Sequence, residues 1–321
     1  MPIDPQIAAT FPLVEGIKSF HDSLSDPEKL ARIAAATSPP PGYVPPACAV
    51  REVEAPGPHG PVPIRIYSPE ESLSPARPGL VWMHGGGFRF GDLDQPESDM
   101  VSRELCHRAD AVVLSVDYRL AVEGVTYPVP HDDVVAAWRW TVRKAPELGI
   151  DVGQLTLGGA SAGGNLAAGA ALRLRDEGDA PLPVRLLLAY PALHRALPPL
   201  SDEIRHCVAD IPRLYRFLPE DVEVITRYYL GDLMDHDDVP GYAMPAEADV
   251  TGLPSTVIIT SEYDDLRASA EAYAERLIAA GVPTTLVMEP GVLHGHLNRD
   301  PRTAGTDHSL DVLAEALPRT P

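Results

Sequence analysis

Residues 159–163 form a G-x-S-x-G unit centred on Ser161, a spacing that could carry nucleophilic chemistry. The run QLTLGGA ahead of Ser161 is apolar and strand-like, and NLAAGAALRLR behind it is helix-like. A serine on so sharp a strand-to-helix turn exposes its Oγ at the tip of a strained backbone. Glycines two residues to either side remove the Cβ atoms that would hold strand and helix apart. The motif alone is weak, because a glycine-rich chain produces it by chance; the strand–turn–helix context is what points to a nucleophile.

A second unit, His84-Gly85-Gly86-Gly87-Phe88, follows the apolar run GLVWM. Consecutive glycines bare their N–H groups, which suits donation to charge developing on a carbonyl oxygen. A phosphate cradle is the rival reading, but neither G-K-[ST] nor a helix-opening G-x-G-x-x-G is present. His84 lies upstream of the serine, against the order serine, acid, histidine, and is read as structural.

A serine nucleophile needs a base and an acid that orients it. The stretch SEYDDLR at 261–267 ends an apolar run and offers Glu262, Asp264 and Asp265, any of which could instead cap the next helix or face solvent. MEPGVLHGH at 288–296 offers His294 and His296 on a loop after another apolar run. Acidic residues at the carboxyl ends of parallel strands sit where open α/β sheets gather their sites.

The elements that must position these groups follow from the apolar pattern. Strand-like runs occur at 62–67, 80–83, 111–116, 154–157, 185–189, 256–259 and 284–288. Helical patterns occupy 97–107, 132–144, 164–175 and 266–280 between them. Such alternation predicts a mainly parallel sheet covered on both faces. A helix is also predicted over 22–37, with Ser25 as its cap, followed by a stiff proline-rich linker at 38–46. The region 196–244, with a helical signal at 218–230, interrupts the rhythm and predicts a lid.

In order and spacing, HGGGF at 84–88, SVDYRLA at 115–121, GASAGGNLA at 159–167, SEYDDLR at 261–267 and PGVLHGH at 290–296 resemble the hormone-sensitive-lipase-like esterases, the HGGG-bearing branch of the α/β-hydrolases. The resemblance covers roughly residues 49–300. It implies an α/β-hydrolase fold: a mainly parallel eight-stranded sheet, helices on both faces and a helical cap. The cap would comprise residues 1–48 and 196–244, and the core residues 49–195 and 245–321.

The resemblance also implies roles. Ser161 corresponds to the nucleophile, Asp264 to the acid and His294 to the base. Gly85, Gly86 and Gly87, with Ala162 just after the nucleophile, correspond to the oxyanion donors. Three positions depart from the family pattern: Ala160 where Asp is frequent, Asp265 where Pro is usual, and His296 where an aromatic side chain is frequent. In this alignment His296 belongs to the aromatic wall of the site, and Asp265 is free to cap the helix beginning near Leu266. Asp117, Tyr118 and Arg119 are read as structural polar contacts. The implied activity is hydrolysis of small, short-chain esters through an acyl-enzyme, without cofactor or metal. An amidase or transacylase would use the same groups. A non-catalytic receptor on this fold, such as the plant gibberellin receptors, lacks the histidine that is present here.

Composition narrows the field. A net charge of −20 repels phosphate backbones and anionic membranes, so nucleic acid and membrane partners are excluded as expectations. Lys18, Lys29 and Lys144 are the only lysines, a bias that GC-rich coding explains better than salt adaptation. Cys48, Cys106 and Cys207 make no disulfide framework, and Cys106 reads as a buried helix residue. The opening MPIDPQIAATF has neither a basic nor an apolar leader segment, and no apolar run reaches spanning length. The expectation is a soluble cytoplasmic protein, with a homodimer as the assembly the resemblance suggests.

Overall fold

The computed structural model describes residues 2–20, 23–37, 42–69 and 76–318. Eight strands, β1 (Ala49–Gly57), β2 (Gly60–Ser68), β3 (Arg77–Met83), β4 (Val112–Val116), β5 (Ile150–Ala160), β6 (Arg185–Ala189), β7 (Ser255–Tyr263) and β8 (Thr284–Leu293), form one sheet in the order β1-β2-β4-β3-β5-β6-β7-β8. The pairs β1/β2 and β2/β4 are antiparallel, and every other pair is parallel. This is the predicted eight-stranded sheet. The seven runs singled out in the sequence map onto β2 to β8; the eighth strand is β1 at the sheet edge.

Both faces are covered, so the inner strands are buried along their length, as a parallel sheet requires. Side chains alternate between faces. Val81 and Met83 belong with the cluster built by α5 (Val129–Leu148), α6 (Ala162–Glu177) and α9 (Arg267–Ala279). Leu80 and Trp82 belong with the cluster built by α4 (Asp99–Ala109) and α10 (Ala304–Ala316). Cys106 is buried on α4, as expected.

The topology puts the chemistry-bearing ends side by side. From β3 the chain steps outward to β4, then crosses to β5 on the other flank, so the strand order reverses between β3 and β5. Such a reversal opens a crevice at the strand ends. Met83 pairs with Gly159, which brings the loop after β3 beside the turn after β5. Tyr263 pairs with Leu293, which sets the next residues, Asp264 and His294, next to one another.

The N-terminal segment adds α1 (Pro5–Ala8), α2 (Phe11–Val14) and α3 (Pro27–Thr37), and the insertion adds α7 (Asp202–Val208) and α8 (Pro219–Leu230). Ile7, Ile204, Val208 and Ile211 form one small core with Val292 and Leu293, which joins the N-terminal and inserted segments to the end of β8. Helix α3 starts later than predicted. Asp26, rather than Ser25, accepts from the N–H groups of Glu28 and Lys29 at its start. Residues 22 and 38–41 of the predicted helix and linker lie outside the described residues. Among the described residues no helix is long and apolar enough to cross a membrane.

Candidate active site

Strand β5 delivers Ser161 on a turn with φ 52° and ψ −114°, and α6 begins at the next residue. A positive φ on a residue with a Cβ costs on the order of 1–3 kcal/mol and persists only where the surroundings enforce it. Here Ser161 N–H donates to Ala189 O at 2.9 Å, and Ser161 O accepts from Asn165 N–H at 3.1 Å. A Cβ on Gly159 would stand 2.5 Å from the Gly163 carbonyl, and one on Gly163 would collide with the Met83 and His84 carbonyls. The two flanking glycines are therefore demanded by close approach of strand, helix and loop.

Ser161 Oγ lies 2.9 Å from His294 Nε2, and His294 Nδ1 lies 2.7 Å from Asp264 Oδ2. Asp264 is buried, and its other oxygen accepts from Leu266 N–H at 2.9 Å. The His294 ring sits between Tyr190 and Phe217, each edge-on at centroid distances of 5.0 and 4.6 Å. Burial pulls the imidazole pKa down, but the charge and hydrogen bond of Asp264 outweigh it, and the net direction is upward from the usual 6.5. The sequence-predicted serine, acid and histidine are thus brought into one chain of hydrogen bonds.

The glycine loop divides its donors. Gly85 N–H is committed to Glu97 Oε2 at 2.6 Å, so Gly85 is not available to an oxyanion, which corrects its inclusion among the expected donors. The N–H groups of Gly86, Gly87 and Ala162 meet no protein acceptor among the described residues. Gly86 and Gly87 both have positive φ, and a side chain on Gly86 would run into the Phe90 carbonyl. His84 is buried and supports the loop, with Nδ1 2.6 Å from Gly85 O and the Tyr118 ring stacked at 4.5 Å. Tyr118 OH donates to His84 O, and Arg119 pairs with buried Asp133. Their structural reading holds.

Two expectations fail. His296 does not line the site: it is buried, with Nδ1 3.0 Å from Ser261 Oγ and Nε2 2.7 Å from Ser309 Oγ. Burial lowers its pKa to about 3, so it stays neutral. Asp265 does not cap α9. It is buried and accepts from Arg216 Nε and Nη2, both at 2.8 Å, and from Phe217 N–H at 2.9 Å. The helix-start hydrogen bond belongs to Asp264 instead.

Sequence reading also missed a buried carboxylate. Glu97 accepts from Tyr190 OH at 2.6 Å and Asn298 Nδ2 at 3.0 Å on one oxygen and from Gly85 N–H on the other. Burial pushes its pKa up, opposed by these donors. Through it the glycine loop, the Tyr190 ring beside His294 and the loop after β8 are tied together. Nothing in the polar run GDLDQPESD distinguishes Glu97 from a solvated side chain.

Ser161, Ala162, Gly86, Gly87 and His294 open into one cavity of about 550 Å³. Phe20, Phe217, Ile225 and Tyr228 line it from the N-terminal and inserted segments. A serine hydrogen-bonded to a histidine, backbone donors without protein partners and a largely apolar cavity are the parts that attack on a carbonyl carbon requires.

Fold and site together define an α/β-hydrolase. Residues 80–298 match the family model described as alpha/beta hydrolase fold. The carboxylesterase NlhH of Mycobacterium tuberculosis is 40% identical over 241 residues, 74% of this chain and 72% of its own. An esterase of Pyrobaculum calidifontis superposes with a TM-score of 0.82 at 30% identity, covering 99% of this chain and 98% of its own. A bacterial heroin esterase superposes with a TM-score of 0.81 at 34% identity, covering 98% of each chain. The chain belongs to the α/β-hydrolase fold family, in its hormone-sensitive-lipase-like carboxylesterase branch. It is a carboxylic ester hydrolase.

Proposed function

We propose that this enzyme cleaves small esters through a covalent acyl-enzyme on Ser161, with His294 as base and Asp264 as the acid that orients it. The observation that carries the reading is the continuous path from Ser161 Oγ through both ring nitrogens of His294 to Asp264. With Nδ1–H donating to Asp264, Nε2 is the acceptor and takes the serine proton as Oγ attacks the ester carbonyl. The N–H groups of Gly86, Gly87 and Ala162 receive the negative oxygen. His294 then protonates the departing alkoxide. Water, deprotonated by the same nitrogen, attacks the acyl-enzyme, and collapse of the second tetrahedral intermediate releases the acid and restores Ser161.

Residues 1–48 and 196–244 act in this reading as a cap that closes the cavity. A finite, walled space of about 550 Å³ favours dissolved, short-chain esters over packed lipid. The test is kinetic. Hydrolysis of 4-nitrophenyl esters from acetate upward should be fastest for the short acyl chains, without a jump in rate on emulsified triglyceride, and mass spectrometry should find the acyl group on Ser161. Preference for long chains with interfacial activation would refute the small-ester assignment; retained turnover in folded Ser161→Ala would refute the nucleophile.

A further inference from the structure

The same cavity contains a second serine–histidine pair. His194, on the loop after β6, and Ser269, on α9, both line it. Ser269 is buried; its Oγ accepts from Leu193 N–H at 3.1 Å and lies 2.8 Å from His194 Nδ1. A hydroxyl has one proton to give. Among the described residues Nδ1 is the only acceptor that Ser269 Oγ reaches, so the arrangement that satisfies the hydroxyl proton has Oγ–H donating to Nδ1. A neutral imidazole whose Nδ1 accepts carries its proton on Nε2. Burial lowers the ring's pKa to about 4, so the neutral form holds at physiological pH.

His194 lines the cavity, and its Nε2 meets no protein group among the described residues. The cavity surface is largely apolar, with Leu197, Met244 and Leu266 among its lining residues. A tautomer held in place by a buried serine, on a histidine that lines a largely apolar cavity, is a fixed polar contact of the sort that orients a ligand. We propose that His194 Nε2–H is a substrate-binding donor, and that the enzyme selects esters bearing a second acceptor oxygen, ether, keto or ester, remote from the scissile carbonyl. This subsite rests on Ser161 being the nucleophile of the same cavity. A substrate without that oxygen leaves the donor dry and unpaired, which is the basis of discrimination.

Matched substrate pairs test it. One pair is a 4-nitrophenyl alkanoate and its analogue with an ether oxygen replacing a methylene at least four bonds from the carbonyl. The other is the acetate of an alkanol and of the matching glycol monoether. For at least one pair the wild-type ratio of kcat/KM, oxygenated over all-carbon, should be about tenfold higher than in His194→Phe, the size of one net hydrogen bond. Comparing ratios cancels the intrinsic reactivity of the esters. His194→Gln, which keeps an N–H near the same point, should restore most of the ratio, and Ser269→Ala should lower it by freeing the tautomer. If neither wild-type ratio exceeds that of His194→Phe, or if His194→Gln behaves as His194→Phe, the subsite is wrong while ester hydrolysis stands. If wild type hydrolyses none of the four, or folded Ser161→Ala still does, the nucleophile assignment falls and the subsite with it.

Discussion

Buried Asp265 and half-buried Arg216 form a two-pronged ion pair, with both guanidinium–carboxylate contacts at 2.8 Å, that joins the inserted segment to the end of β7 one residue from Asp264. The neighbouring Phe217 N–H also donates to Asp265, and the Phe217 ring packs on His294. Breaking one side of a fully buried pair costs about 3–5 kcal/mol, and the partly exposed Arg216 sets this pair at the lower end of that range. Asp265→Ala should therefore lose about 3 kcal/mol of stability in urea unfolding and raise KM as Phe217 loosens. Arg216→Met in the same chain should recover part of the stability. A loss under about 0.5 kcal/mol for Asp265→Ala would show that the pair does not hold the segment down.

The hydrogen-bonded path sets a rank order of losses. Ser161→Ala should lower turnover by about five to six orders of magnitude with the fold intact, and His294→Ala by a comparable factor. Asp264→Asn should cost about four orders, because an amide at that position favours the wrong imidazole tautomer. Steady-state kinetics with circular dichroism checks all three. Near-normal rates in Asp264→Asn would transfer the acid's role elsewhere.

The pH dependence follows from His294. Asp264 raises its pKa above the usual 6.5, and in the proposed mechanism the neutral ring is the competent form. On lowering the pH, kcat/KM should fall through a single limb whose midpoint lies above 6.5. Proton NMR of Ser161→Ala should show His294 titrating above that value, while His296 stays neutral down to about pH 4, in keeping with its pKa of about 3. A midpoint well below 6.5 would contradict the dominance of Asp264 over burial.

His296 calls for a different expectation from the other ring of the pair. Its two nitrogens satisfy Ser261 and Ser309 inside the core. His296→Phe should cost about 2–4 kcal/mol, since both buried hydroxyls lose a partner. Its substrate profile should match the wild type. Thermal unfolding and the chain-length series would separate these effects, and a changed profile without destabilisation would return His296 to the cavity wall.

The parallel strands and the serine turn were legible because their signals are local. β3, β5 and β7 are apolar runs closed by glycine or acidic punctuation, and the serine turn needs glycines at fixed offsets. β1 was harder to read. It is an edge strand, AVREVEAPG, with one buried position, so it lacks an apolar run. α10 was missed for another reason: Gly305, Thr306 and Ser309 occupy its buried face beside Leu310 and Leu313, and Ser309 is there to meet His296. Polar groups satisfied by distant partners break the apolar period. Asp265 was misread in the same way, since its partner Arg216 lies 49 residues away and a local reading offers only the adjacent helix.

The Tyr263–Leu293 pairing has a consequence for heat inactivation. Asp264 and His294 extend two strands that are hydrogen-bonded to each other, so their separation is kept by the sheet rather than by loops. Hydrogen exchange in the last residues of β7 and β8 should occur mainly by global opening, whereas the short helices over the cavity should exchange through local opening. On warming, the inserted segment should detach while the acid–base pair is still assembled. Loss of substrate selectivity should therefore precede loss of turnover, and a partly melted enzyme should be less discriminating before it becomes a dead one.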